Sequence, residues 1–376
     1  MRILINAVSA KAGGGITYLV NLLKYLPGIM PEDDFLCVIQ DIDLPTELYL
    51  QKNLEIRKIP QANGNVLKRY WWENTGLLKL CKTWKADLLY CIANMIPLIP
   101  SGRPTYMMLQ NVAPITPSVL TAVLRHEGVK PFLQMSANCL LTIFAAAFSH
   151  KTFVLSQSSN SLIKNWIPFV KTSIVHHGIS SHFRPESKKP EKAGNEPYYI
   201  FVSNIYVYKG LDYIVEAYKT DRELPHIFIV GHAFDVNYTT KIKQNIKDSN
   251  LEDKIIFLDS LPYSELPGWY ANAIANVFPT WCESFGCGII EAQACSCPIV
   301  GMQAATLPEF CGETGILVKA YDGKALAEGM KKAIELKNDA SLASKLSEYS
   351  KSFTWQAAME KHRDCFREVD TKQKNS

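Results

Sequence analysis

Short, nearly uninterrupted apolar runs recur along the chain, separated by stretches in which apolar residues return every third or fourth position. Runs of this kind mark strands buried on both faces of a parallel sheet, and the intervening period is that of helices packed on such a sheet. In the first half the pattern predicts strands at 3–8, 35–39, 88–92, 105–109, 152–155 and 173–176. Helices are predicted at 18–26, over one long stretch at 118–148, and at 158–166. The rhythm restarts in the second half, with strands at 198–202, 227–230, 255–258, 275–278 and 298–300. Helices there fall at 210–218, 238–249 and 288–295, and 322–369 reads as helical with a break at 352–354. This alternation predicts an α/β protein of two parallel-sheet domains. Residues 180–197 are polar, rich in Pro and Lys and without apolar period, and read as a linker.

Composition alters this picture little. A chain of 376 residues with 47% hydrophobic and 20% charged content is that of an ordinary globular protein, and a net charge of +4 is too small to imply nucleic-acid binding. The first apolar run is too short for a signal peptide. The longest apolar stretch, 137–148, is about 12 residues against the roughly 20 needed to span a bilayer, so a cytoplasmic location is expected. The ten cysteines are scattered without C-x-x-C spacing and read as reduced apolar fillers rather than a metal site.

The richest segment is 279–301, PTWCESFGCGIIEAQACSCPIVG. A strand ends in a loop, Glu283-Ser284-Phe285-Gly286-Cys287-Gly288, a helix follows at once, and then another strand. In open α/β sheets ligands sit beyond the carboxyl ends of the strands, where such loops lie. Gly286 and Gly288 let backbone approach a ligand, and the free N–H groups of the next helix suit an anion. Glu283 and Glu291 frame that place, and a carboxylate accepts from two vicinal hydroxyls, so the pair suits a ligand with both phosphate and sugar hydroxyls. Spacing alone equally allows a solvated loop before a helix with a favourably placed Glu.

Glu283 and Glu291, with Ser-Phe-Gly after the first and Glu-Ala after the spacer, resemble the signature of the family-4, or group 1, retaining glycosyltransferases. Four further segments match in order: Gly13-Gly14-Gly15, Val175-His176-His177-Gly178-Ile179, Val202-Ser203-Asn204 with Lys209-Gly210, and Leu307-Pro308-Glu309 with Gly315. The resemblance implies a GT-B fold: two Rossmann-like domains facing across a deep cleft, with a C-terminal helix crossing back to the first. Residues 1–182 would bind acceptor, 183–353 the nucleotide sugar, and 354–376 would form that helix. It further implies that Glu283 contacts the transferred sugar, Glu291 the ribose and Lys209 the diphosphate. Backbone of Gly14, Gly15 and the loop Ser284, Phe285, Gly286, Cys287 and Gly288 would complete the phosphate cradle. Catalysis would fall to Glu283 and Lys209, with no metal and no cofactor. The partners implied are a nucleoside-diphosphate sugar and a saccharide acceptor, bacterial surface polysaccharide on a lipid carrier being the family's leaning.

The chain departs from the family at two positions. Asn204 stands where an Arg is usual, and Gln110-Asn111 where a His often lines the reaction centre. His126 is a possible substitute, or a surface residue. Asp41-Ile42-Asp43 matches the D-x-D pattern of metal-dependent transferases but occurs very early, and two Asp flanking one residue arise often by chance. Lys68-Arg69-Tyr70-Trp71-Trp72 with Arg103, Arg125 and Lys130 suits peripheral contact with an anionic membrane, or equally a solvated helix whose tryptophans pack inward. A sugar-nucleotide epimerase and a non-catalytic nucleotide-sugar-binding subunit remain as rival functions.

Overall fold

The computed structural model describes all residues except 11–13, 64, 65, 338, 375 and 376, with side chains described as far as Val369. The chain forms two compact units. The first comprises Met1–Ile115, Ala137–Gly178 and Thr354–Ser376, and the second Thr116–Ser136 and Ile179–Phe353. Residues 116–136, which the linear reading leaves in the first half, thus belong to the second unit.

Seven strands build the first unit: β1 (Arg2–Asn6), β2 (Asp34–Ile39), β3 (Leu54–Lys58), β4 (Leu88–Cys91), β5 (Thr105–Leu109), β6 (Lys151–Val154) and β7 (Thr172–Ile174). They are parallel throughout, in the order β3-β2-β1-β4-β5-β6-β7. The second unit has β8 (Tyr199–Val202), β9 (Ile227–Val230), β10 (Ile255–Leu258), β11 (Asn276–Phe278), β12 (Ile299–Met302) and β13 (Ile316–Val318). These are also parallel, in the order β10-β9-β8-β11-β12-β13. Each unit is therefore Rossmann-like, with a switch in strand order between its first and fourth strands. There adjacent loops leave in opposite directions and open a crevice, at β1/β4 in one unit and β8/β11 in the other. Buried strands such as Ile3-Leu4-Ile5 and Ile227–Val230 are apolar on both faces, as helices on each side of a sheet require.

The apolar pattern missed β3 and β13, one edge strand of each sheet, while it found the opposite edges β7 and β10. β3 (Leu-Glu-Ile-Arg-Lys) alternates instead of running apolar, and β13 has only three residues. Edge strands are often kept short or charged, which erases the signal used to find them. The predicted 118–148 helix is two helices, Pro117–His126 and Val129–Phe148. Gly128, at φ +94°, ends the first through its N–H to the Val123 carbonyl. The second, at twenty residues, is long and apolar enough to cross a membrane by length and composition, which corrects the shorter apolar stretch read from sequence. Its inward residues Cys139, Thr142, Ala145 and Ala146 pack in the protein, while Leu140 and Phe148 face out. The predicted linker is anchored, because Phe183 and Ala193 are buried.

The helix Trp355–Lys374 packs on the helix Gly14–Ile29 within the first unit. Its apolar face sets His362 and Phe366 against Tyr90 and Phe153. Gly178 makes the junction possible, since a Cβ there would lie 2.1 Å from the Trp355 nitrogen. His362 is fully buried, with Nε2 2.7 Å from the Tyr18 hydroxyl and Nδ1 2.8 Å from the Ala358 carbonyl. Burial holds it down at about 4, and His177, also buried, at about 3. Both rings are neutral when folded and protonate far more readily when unfolded. Their contribution is thus complete above the unfolded value near 6.5 and is lost as pH falls toward the folded values. For His362 alone this amounts to about 3 kcal/mol by pH 4. We expect the melting temperature to drop steeply between pH 6.5 and 4.5, and His362→Phe to flatten part of that slope. Equal slopes in the two proteins would refute this.

Candidate functional site

Two loops meet at the β8/β11 switch of the second unit. After β8 the chain makes a short turn, Val207–Lys209, and enters the helix Leu211–Thr220 through Gly210 at φ +75°. After β11 it runs Pro279 to Gly286 into the helix Cys287–Ala294. The Tyr208 carbonyl accepts from the Trp281 N–H and from the Thr280 hydroxyl, each at 3.1 Å. A Cβ at Gly210 would lie 2.3 Å from the Pro279 oxygen, so only glycine allows this approach.

Lys209 Nζ lies 2.5 Å from Glu283 Oε2. The lysine is only 8% exposed, with its ammonium 5.5 and 5.3 Å from the ring centres of Tyr208 and Phe278. A cation taken so far out of water needs its carboxylate, and Glu283, partly open to solvent, provides it. Glu283 Oε1 also accepts from the Ser284 N–H at 3.3 Å. Gly286 turns the chain at φ +86° into the next helix, in which a Cβ at Gly288 would lie 3.2 Å from the Tyr270 hydroxyl. Asn276, fully buried, donates to the Gly288 carbonyl and holds the helix start to the sheet. Phe285 packs edge-on against Phe310 and Phe353 and anchors the loop.

Glu291 is 7% exposed and accepts at Oε1 from the Tyr263 hydroxyl at 2.7 Å. Burial pushes its carboxyl up to about 7, against the pull of that hydrogen bond. A carboxyl that titrates near neutrality in a crevice is a group fit to sense a ligand's hydroxyls.

The remaining predicted residues fall elsewhere. Asn204 is exposed, in the loop after β8. Of the glycine turn, Gly13 lies outside the described residues, while Gly14 and Gly15 open the helix Gly14–Ile29 of the first unit. Gly15, Gln110 and Asn111 line one cavity of that unit, at the β1/β4 switch. Asn94 braces it: its Oδ1 accepts from the Gln110 and Asn111 N–H groups, and Gln110 Nε2 donates to the Ile92 carbonyl. His126 is not part of this group; it belongs to the second unit and packs edge-on against Tyr238. Asp41 and Asp43 share one cation, Lys58, at 3.1 and 3.0 Å. The basic-aromatic run divides, with Arg69 and Trp72 buried and Lys68 and Trp71 outside.

Sequence reasoning missed Tyr208, whose backbone carbonyl accepts from the next loop, Thr280 and Asn276, whose side chains donate to backbone carbonyls, and Tyr263, which reaches Glu291 from 28 residues away. Thr116, from the segment that joins the second unit, accepts from the Cys282 thiol at 3.5 Å. No local pattern marks any of them.

Residues 183–353 match the family model of glycosyl transferases group 1. The O-antigen chain mannosyltransferase RfbU of Salmonella typhimurium is 24% identical over 198 residues, covering 52% of this chain and 54% of RfbU. The D-inositol 3-phosphate glycosyltransferase of Corynebacterium glutamicum is 30% identical over 169 residues, covering 42% and 40%. The chain thus spans about half the length, or less, of these curated relatives. Among solved structures, sucrose-phosphate synthase from Thermosynechococcus elongatus aligns over 99% of both chains, with a TM-score of 0.75 at 16% identity. Anabaena HepE, solved in complex with UDP-glucose, aligns over 98% of this chain and all of its own, with a TM-score of 0.75 at 17% identity. The chain has the GT-B fold, and its residues 183–353 are a domain of the group 1 glycosyl transferase family.

Proposed function

We propose that this protein is a retaining glycosyltransferase that moves a hexose-type sugar from a nucleoside-diphosphate sugar to a saccharide acceptor carried on a lipid. The observation that carries this reading is the Lys209–Glu283 pair at the β8/β11 switch, beside the start of the helix Cys287–Ala294 and the buried Glu291. An ammonium has three donors. One is taken by Glu283, and the others are available to diphosphate oxygens together with the N–H groups of the helix's first turn. Glu283 is placed to accept from hydroxyls of the transferred sugar, and Glu291 from those of the ribose. As the glycosidic bond breaks, charge builds on the departing diphosphate, where a fixed cation and helix dipole already stand. A lysine in that position does the work of a divalent ion, so the reading needs no metal. The name of RfbU and the UDP-glucose held by HepE lend this donor chemistry support.

The lipid carrier implies a membrane partner, on the cytoplasmic face where nucleotide sugars are made. The first unit presents a surface suited to it. Phe148 and Phe169 are 66% and 75% exposed, and Leu98 and Ile99 also face out. Phe148 and His150 are common to two adjoining surface hollows, one lined by Leu98, Ile99 and Arg103, the other by Phe169, Lys164 and Lys171. Exposed aromatics rimmed by cations suit the boundary between anionic headgroups and acyl chains.

Lys209→Ala should lower kcat/KM by about 2–4 kcal/mol of transition-state stabilisation, roughly two orders of magnitude, while excess EDTA leaves the wild-type rate unchanged. Near wild-type turnover in that variant, or EDTA loss reversed by Mg2+, would overturn the assignment. Ribose hydroxyls donate best to an ionised Glu291, which below about 7 takes up a proton. Nucleoside-diphosphate affinity should therefore weaken as pH falls from 8 to 6, whereas Glu291→Gln should bind weakly and without that pH dependence. Glu283→Ala should mainly lower turnover, and calorimetry at both pH values separates the two roles. For the membrane, co-sedimentation with vesicles containing anionic lipid should be strong for wild type and largely lost when Phe148→Asp and Phe169→Asp are combined. Equal sedimentation of both proteins would dismiss this surface.

A further inference from the structure

Residues 116–136 lie in sequence between β5 and β6 of the first unit, yet they belong to the second. There the helix Pro117–His126 buries Val119 and Val123 and packs on the turn Val207–Lys209. Thr116, just before the helix, meets the Cys282 thiol, next in sequence to Glu283. Glu127, just after it, reaches the thirteen-residue helix Val236–Asp248, where its Oε1 accepts from the Tyr238 N–H at 2.7 Å. The neighbouring His126 ring packs edge-on against the Tyr238 ring.

The Tyr238 bond is one that a helix usually makes for itself. The residue ahead of the first turn commonly accepts from the second or third N–H of its own helix, which has no acceptor within it. Asp235 stands at that position, but its carboxylate makes no such bond among the described residues. Instead its Oδ2 accepts from the Val207 N–H at 2.7 Å and ties the start of the Lys209 turn to the loop after β9. Tyr238 holds the far side of the same turn. Its buried hydroxyl donates to Asp212 Oδ2 at 2.8 Å and accepts from the Asp212 N–H at 3.2 Å. Asp212 is in the first turn of the helix Leu211–Thr220, directly after Lys209-Gly210. Lys209 is therefore held from both sides, by Asp235 before it and through Tyr238 after it.

We infer that Glu127 is a positioning residue for Lys209. Docked by the helix Pro117–His126, it caps the helix Val236–Asp248 in place of Asp235 and so leaves Asp235 to fix the Val207–Lys209 turn. A carboxylate beside a helix start is drawn to the unpaired N–H groups there. Without Glu127, Asp235 would turn back to the Tyr238 N–H and release Val207. Lys209 would keep its charge and its Glu283 partner but lose its fixed place. That the held lysine meets a diphosphate rests on the transferase reading, whereas the hold itself does not.

The test uses the full-length protein. Hydrogen exchange at the Val207 amide should speed up at least tenfold in Glu127→Ala and stay near wild type in Glu127→Gln, whose amide oxygen still accepts from Tyr238. An unchanged rate in Glu127→Ala overturns the inference, and so does equal speeding in both variants, which would trace the effect to charge alone. Should Glu127→Ala fail to fold, Glu127→Asp, a methylene shorter, takes its place with the same outcomes. Calorimetry then uses whichever of UDP, GDP and ADP binds wild type. Glu127→Ala should weaken that nucleotide at least fivefold when Lys209 is present and less than twofold in a Lys209→Ala background, because a residue acting through Lys209 then has nothing to act on. A general structural loss would not depend on Lys209, so equal weakening in both backgrounds, or none with Lys209 present, overturns the positioning role. If no nucleoside diphosphate binds wild type, the transferase reading falls, and the exchange rates alone decide whether Glu127 holds the turn.

Discussion

The Tyr208 carbonyl takes two hydrogen bonds from the neighbouring loop, from the Trp281 N–H and the Thr280 hydroxyl, and these tie the loop after β8 to the loop after β11. Parallel strands flanking a switch in order send their loops apart, so nothing in the sheet itself brings the two loops together. Here they are joined through backbone, and Gly210 removes the side chain that would otherwise collide with Pro279. Lys209 precedes that glycine and Glu283 follows Thr280 by three residues, so the knot fixes the distance between the two charges. The chemistry of the second unit depends on this closure.

Once closed, the site keeps its cation in a poorly hydrated place. Tyr208 and Phe278 flank the Lys209 ammonium, and Glu283 is its salt-bridge partner. Interactions between charges strengthen as water is excluded, so an arriving anion meets a cation worth far more than one on the surface. The cost is that removing Glu283 would leave the buried Lys209 ammonium without its partner. Glu291 shows the same logic without a cation: Tyr263 satisfies one oxygen, burial does the rest, and its carboxyl titrates near neutrality.

The parts of the fold that the sequence displayed are those where one force acts along a short window. Central strands such as Thr105–Leu109 and Ile227–Val230 must be apolar on both faces, and their bounds were legible to the residue. The edge strands Leu54–Lys58 and Ile316–Val318 answer to a different demand, that of not pairing with other chains, and were missed. Within the site, glycines and carboxylates on one loop could be read from their spacing. Partners that arrive from afar could not: Tyr263 beside Glu291 and Thr116 beside Cys282 obey no period. The run at 68–72 left a membrane-facing and an inward-packed reading open for a related reason. Its composition is that of a surface, but a helix buries residues by phase, and the phase turns Arg69 and Trp72 inward while Lys68 and Trp71 stay out.

The two units share one strand order, but the loops that line their crevices differ in chemistry. The crevice of the second holds an ion pair and a buried carboxyl, groups that meet phosphate and hydroxyls. In the first, the loop beyond β5 carries Gln110 and Asn111 where the family resemblance leads one to expect a histidine, and Asn94 binds both of their N–H groups. Amides neither take nor give protons near neutral pH. On the proposed reading this is no handicap. A transfer driven by stabilising a departing diphosphate asks the acceptor side to position a hydroxyl and exclude water more than to move a proton at the protein. A neutral wall braced through backbone does that at any pH at which the fold holds, and leaves Glu291 as the group near neutrality through which pH would enter donor binding.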